Sequence, residues 1–319
     1  MKAFAKIILI FVLQNAFIDV SIFAQVNNPK SDKLSERLKQ LQEEVWLLKA
    51  NTDDQLLSPS FPLSHVPPKL SLALGDEEDW GGGGYGIVKL VCRETMMSIW
   101  EPAGRPKIST IAIINRESGP MAVYKDGEFD LNVMYLNYHD EGWKLLVYQS
   151  GHEFVHLLAG KDIDQIRHGN SRWFEESLCM CGALFALRSL ADSWSKADSE
   201  FKKRYSGTLA RYAERRIRQA ETVETLGKWY RNNREELERY PIRHTFNLPA
   251  SIALLDYFEA HPDAWSTVQY LNRGRHGSHL DSYLKSWHGW TPVEKRPHIA
   301  AIATLFDIDV TSDSPAIDE

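Results

Sequence analysis

Two apolar helices that carry ionisable side chains constrain this chain more than any other feature. The stretch YQSGHEFVHLLAG at 148–160 continues an apolar stripe of Val147, Gly151, Phe154 and Leu158 at spacings of four, three and four, the period of a helix with one packed face. Gly151 within that stripe allows a neighbouring element to approach closely. Twelve residues on, RWFEESLCMCGALFAL at 172–187 is apolar almost all round, the pattern of a buried helix, yet carries adjacent carboxylates at Glu175 and Glu176 near its start. A buried carboxylate costs several kcal/mol unless it is paired or bound to a metal. A capping role near the helix N-terminus is worth only about 0.3–1 kcal/mol for each.

On the first helix, His152 and His156 are four apart and stand one above the other on a single face, so both imidazoles can reach one ion. Glu153 lies about 100° further round, off the ligand plane but placed to contact a water held by that ion. Catalytic zinc keeps three protein ligands and one open position, and lowers the pKa of its water to about 7. A third ligand is therefore needed downstream. Glu175 and Glu176 lie 19 and 20 residues after His156. Helical geometry alone leaves both open: Glu175 shares a face with Cys179, Gly182 and Ala186, and Glu176 with Met180, Ala183 and Leu187. The plain alternative makes the histidines core residues.

HEFVH followed by RWFEESL resembles the gluzincin zinc metallopeptidases, with the W-x-x-E-small pattern of thermolysin-like and aminopeptidase-N-like relatives. The resemblance covers about 87–307. It implies an α+β, zincin-like fold, with a small mixed sheet and the active-site helix followed by a mostly helical lobe. It picks Glu176 as third ligand, because Trp173 lies three before it and Ser177 follows it. Zn2+ is then held by His152, His156 and Glu176, with Glu153 as general base and peptide or protein as substrate, lying between the lobes. An extended peptide would pair with a strand in 108–114 or 120–124. Tyr240 and His244 in ERYPIRHTFN are the candidate oxyanion donors. Two departures stand out. The G-x-M-E-N strand that holds a substrate amino terminus is absent, GPMAV at 119–123 being nearest, which points to an endopeptidase. Met180 stands where the thermolysin-like pattern has an Asp, so the partner of the first histidine must come from elsewhere or be lost. A metzincin would need Gly and His where this chain has Ala159 and Asp162; an Asp-ligand variant lacks the turn-permitting Gly. From another class comes an exported, inactive zinc-binding protein, which would need no base at Glu153.

The first 24 residues, with Lys2 and Lys6 before an apolar run at 7–13, read as a signal peptide cleaved after Ala24. A secreted or periplasmic protein with no stable membrane insertion is expected. Residues 25–86 hold an amphipathic helix, with Leu34, Leu38, Leu41, Val45 and Leu48 at alternating four and three, and then a Pro- and Gly-rich linker. That helix either docks on the main domain or drives self-association through 34–48. Residues 87–165 form the sheet and active-site helix lobe, with GIVKLVC, ISTIAIIN, PMAVYKDG and FDLNVMYLNY as strand-like runs, and 166–319 the helical lobe, broken near Gly227, 240–241, 261–262 and 290–292. A net charge of −6 and a pI near 6.0 give no general attraction to nucleic acid. The basic run AERRIRQ at 213–219 sits among glutamates and reads as a solvated helix face. Three cysteines, two of them two apart on one helix, exclude a disulfide framework, with a single bond from Cys92 left open.

Overall fold

The computed structural model describes residues 69–75, 80, 84–117, 119–123, 131–139, 142–160, 171–273 and 279–311, all within the unit Phe61–Glu319. The leader at 1–24, the amphipathic stretch at 34–48 and Asp162 lie outside the described residues. The fold is α+β and mostly helical. In chain order the elements are β1 (Leu72–Leu74), α1 (Tyr85–Trp100), β2 (Ile111–Asn115), β3 (Met121–Val123), β4 (Asn132–Leu136), α2 (Trp143–Ala159), α3 (Arg172–Ser195), α4 (Glu200–Ile217), α5 (Leu226–Arg239), α6 (His244–Ala260), a 3-10 helix (Pro262–Tyr270), α7 (Leu280–Trp290) and α8 (Arg296–Leu305).

The sheet is small and mixed, in the order β1-β2-β4-β3. β1 and β4 flank β2 in parallel, and β3 closes one edge antiparallel to β4, with Ala122 opposite Met134. Ile111, Ala112, Ile113 and Ile114 are all buried, the continuous run of a strand covered on both faces.

Two expectations are corrected here. GIVKLVC is not a strand but the beginning of α1. Its Val88, Val91 and Cys92 continue into Thr95, Met96 and Ile99 as a buried stripe of helical period, and burial of that stripe outweighs the β-preference of its valines. The sheet also reaches back into the expected linker, where the apolar run around 72–74 supplies β1. Breaks fall as expected at 240–241, 261–262 and 290–292, whereas Gly227 lies inside the first turn of α5, capped by the Thr225 side chain accepting from the Lys228 N–H. Cys92, Cys179 and Cys181 are buried and free.

α3 is the central helix of the unit Phe61–Glu319. Its residues from Trp173 to Leu187 are buried without interruption, and it packs on α1, α2, α4 and α6. One apolar cluster runs through sheet and helices alike, from Leu74 to Val310, so the parts before and after residue 165 share a core. α2 and α3 approach closely through small residues. A Cβ on Gly151 would lie 3.1 Å from the Ala183 Cα and 3.3 Å from the Ala186 Cβ, and a Cβ on Gly182 would overlap the stiff γ-methyl of Val155. Gly182→Val should therefore destabilise the fold by about 1–3 kcal/mol through overpacking. An unchanged thermal midpoint would mean that the helices are not in this contact.

Candidate metal centre

The close approach at Gly151 brings the first turns of α3 onto the last turns of α2, which sets Glu175 and Glu176 against His152 and His156. His152 Nε2 lies 3.3 Å from Glu176 Oε2, and His156 Nε2 lies 3.9 Å from the same oxygen. Tetrahedral zinc with ligand bonds near 2.1 Å sets its donor atoms roughly 3.4 Å apart, so each histidine stands from Glu176 Oε2 at a distance near what such an ion requires. The imidazole rings meet edge to face, with centroids 5.1 Å apart.

The two carboxylates have different partners. Glu175 Oε1 accepts from His156 Nδ1 at 2.7 Å, so that His156 Nε2 is the nitrogen turned towards Glu176. Glu175 Oε2 accepts from Asn272 Nδ2 at 3.1 Å; the same amide reaches the Gly160 carbonyl at 3.3 Å, and Asn272 Oδ1 accepts from the Tyr283 hydroxyl at 2.9 Å. Glu175 thus orients a histidine, and a buried chain of hydrogen bonds orients Glu175. His152 has no such support, because its Nδ1 is buried with no partner among the described residues.

Cys179 competes as a ligand on distance alone, since one ligand atom from each of His152, His156 and Cys179 lies within 4.8 Å of the others. Proton affinity argues for Glu176. Burial pushes the Cys179 thiol far above its ordinary value, with His156 only partly opposing it, and a thiol must ionise to bind metal. Burial also works against the Glu176 carboxylate, but the His152 hydrogen bond and the charges of His156, His152 and Arg172 outweigh it and hold Glu176 well below the usual carboxylate range. Arg172 Nε stands 3.5 Å from Glu176 Oε1. Cys179, one turn after Glu175, lies beside His156 and shares a hydrogen bond with it.

Glu153 is only 4% exposed. Burial raises its pKa, while the His152 and His156 charges and a hydrogen bond from the Ala122 N–H of β3 pull the other way. The guanidinium of Arg116, 3.9 Å over the Tyr135 ring, adds positive charge on the same side. Of the two candidate oxyanion donors, His244 at the start of α6 brings its ring to 5.7 Å from that of His152. Partial burial and then the charge of His152 lower its pKa, so it is neutral at pH 7. Tyr240, half exposed where α5 ends, makes no hydrogen bond or ring contact with these residues among those described.

Several residues at this site escape the sequence. Asn272 lies 97 residues from Glu175 and Tyr283 further still, with no local signal for either. Arg216 belongs to the basic run read as a solvated face, but its Nη2 turns inward to the Tyr148 hydroxyl at 3.2 Å. Tyr148 itself is legible, lying one turn before His152 on the same face. Comparison with family models, curated proteins and solved structures finds no match for this chain.

Proposed function

We propose that this protein is a zinc metallopeptidase of gluzincin type, an exported endopeptidase with a zincin-like arrangement of sheet and helices. The observation that carries the reading is the convergence of His152 Nε2, His156 Nε2 and Glu176 Oε2, with the buried Glu153 carboxylate beside them. Zinc, when bound, supplies a Lewis acid and a water whose pKa is lowered to about 7.

The remaining roles follow from the side chains. β2 is paired on both sides and cannot accept a peptide, whereas β3 is an edge strand among the described residues and takes an extended substrate by strand addition. Ala122 on β3 contacts Glu153, so a peptide on that edge passes next to the base. Glu153 accepts a proton from the attacking water and returns it to the leaving amine, a task suited to a carboxylate whose proton affinity is raised by burial. His244, neutral and beside His152, donates its N–H to the substrate oxygen as negative charge develops there.

Protons compete with zinc for the histidines. Burial opposes charge on His156, but the Cys179 thiol and the Glu175 and Glu176 carboxylates outweigh it and raise its pKa well above the ordinary imidazole value. Zinc affinity should accordingly begin to fall at a higher pH than the imidazole range and keep falling as pH drops through it. Occupancy at limiting zinc that is constant from pH 8 to pH 5 would argue against two histidine ligands. The direct test of the function is a peptide-library cleavage profile, with and without a chelator, on the chain starting at Gln25.

A further inference from the structure

Arg216 differs from the other arginines around the helical core. Arg188, Arg231, Arg234 and Arg243 each meet a carboxylate, from Glu259, Asp307, Glu238 and Glu236 in turn. Arg216 meets none among the described residues. Nη2 donates to the Tyr148 hydroxyl at 3.2 Å, Nη1 to Gln219 Oε1 at 2.9 Å, and Nε is buried without a partner among the described residues. The guanidinium carbon stands 5.2 Å over the Tyr148 ring, which in turn packs edge-on against Tyr212. A permanently charged group with five donors is thus fixed in place by two neutral acceptors and an aromatic face. The nearby Glu214 does not complete it, since that carboxylate pairs with Arg218 instead.

The position of this cation gives it a use. Tyr148 lies one turn before His152 on the same face of α2, so Arg216, bonded to the Tyr148 hydroxyl, lies on the side of α2 that carries the histidines. It is also on the side of His244, whose proton affinity its charge helps to lower. A half-buried guanidinium without a counter-ion among the described residues, near the proposed peptide site, fits a carboxylate brought by the ligand.

Resting on the peptidase reading for the identity of the ligand, we infer that Arg216, positioned by Tyr148, binds a carboxylate of the substrate close to the scissile bond. Two sources share that chemistry, the terminal carboxylate of a peptide and an Asp or Glu side chain. The inference makes Arg216 a specificity residue; it takes no part in the bond-breaking step.

The test uses the zinc-loaded mature chain. Binding of N-acetylphenylalanine and its amide is measured by calorimetry on wild type, Arg216→Gln and Arg216→Lys. Cleavage is measured on peptides in two matched pairs, free acid against amide at the C-terminus and Glu against Gln in the interior. Wild type should prefer the carboxylate member, Arg216→Gln should reduce that preference about ten- to a hundredfold, and Arg216→Lys should retain part of it. The pair that loses its preference identifies the source. Carboxylate binding that depends on Arg216 in a chain that cleaves nothing would keep Arg216 as a carboxylate-binding residue and sink the peptidase reading, and with it the placement beside a scissile bond. Cleavage that ignores the carboxylate in wild type, or a preference undiminished in Arg216→Gln, would overturn the assignment and leave the peptidase reading intact.

Discussion

Glu153→Gln should keep its zinc and its fold while losing peptide cleavage by a factor near the top of the roughly 10² to 10⁴ range typical of a missing general base. Glutamine has the same shape, and its carbonyl oxygen can still accept from the Ala122 N–H, so the change removes the proton acceptor and little else. The stability effect has a definite sign. Burial raises the folded-state pKa of Glu153 above its unfolded value, so its contribution to stability is fully present only below the unfolded pKa and is lost as pH rises through the folded one. At pH 7 the buried carboxylate is therefore a cost, and the neutral amide should melt at the same temperature as wild type or higher. Zinc stoichiometry, thermal melting and cleavage should be measured on one preparation of each protein. Loss of zinc would make Glu153 a ligand, and undiminished cleavage would place the activity elsewhere.

What the sequence made legible follows from the range of the interactions involved. The His152/His156 pair and Glu153 are encoded within one helical turn, and the apolar stripe through Gly151 predicts a close partner, which α3 provides at Ala183. The burial of both glutamates could be read from the apolar surroundings of 172–187, but their division of labour could not. It depends on Asn272, which reaches Glu175 across 97 residues, and on the direction in which His156 Nδ1 points. GIVKLVC misled because its β-branched residues favour a strand locally, whereas the buried stripe at Val88, Val91, Thr95 and Ile99 emerges only over a window twice as long. Arg216 misled for a related reason. A basic run between glutamates has the composition of a solvated face, and only the packing of α4 against α2 reveals which of its arginines turns inward.

The decisive prediction for the metal centre separates the adjacent glutamates. Glu176 Oε2 lies near both Nε2 atoms, so on the proposed assignment Glu176→Ala removes one of three protein ligands. Structural zinc sites bind with about 10–16 kcal/mol shared among four ligands, so losing one should cost roughly 3 kcal/mol, on the order of a hundredfold or more in affinity. Glu175 acts one bond further out, through His156 Nδ1. Glu175→Ala leaves all three ligands in place and should weaken zinc only about 10–100-fold, as is usual when the group behind a ligating histidine is removed. Cys179→Ser supplies the control for the competing ligand set and should leave zinc stoichiometric where Glu176, and not sulfur, is the third ligand. Competition titrations against a chromophoric chelator would rank the three variants. The order expected is Cys179→Ser tightest, then Glu175→Ala, then Glu176→Ala. If Glu175→Ala strips the metal while Glu176→Ala retains it, the assignment of the two carboxylates is reversed; if Cys179→Ser is the weakest, the third ligand is sulfur and the family resemblance fails at its most specific residue.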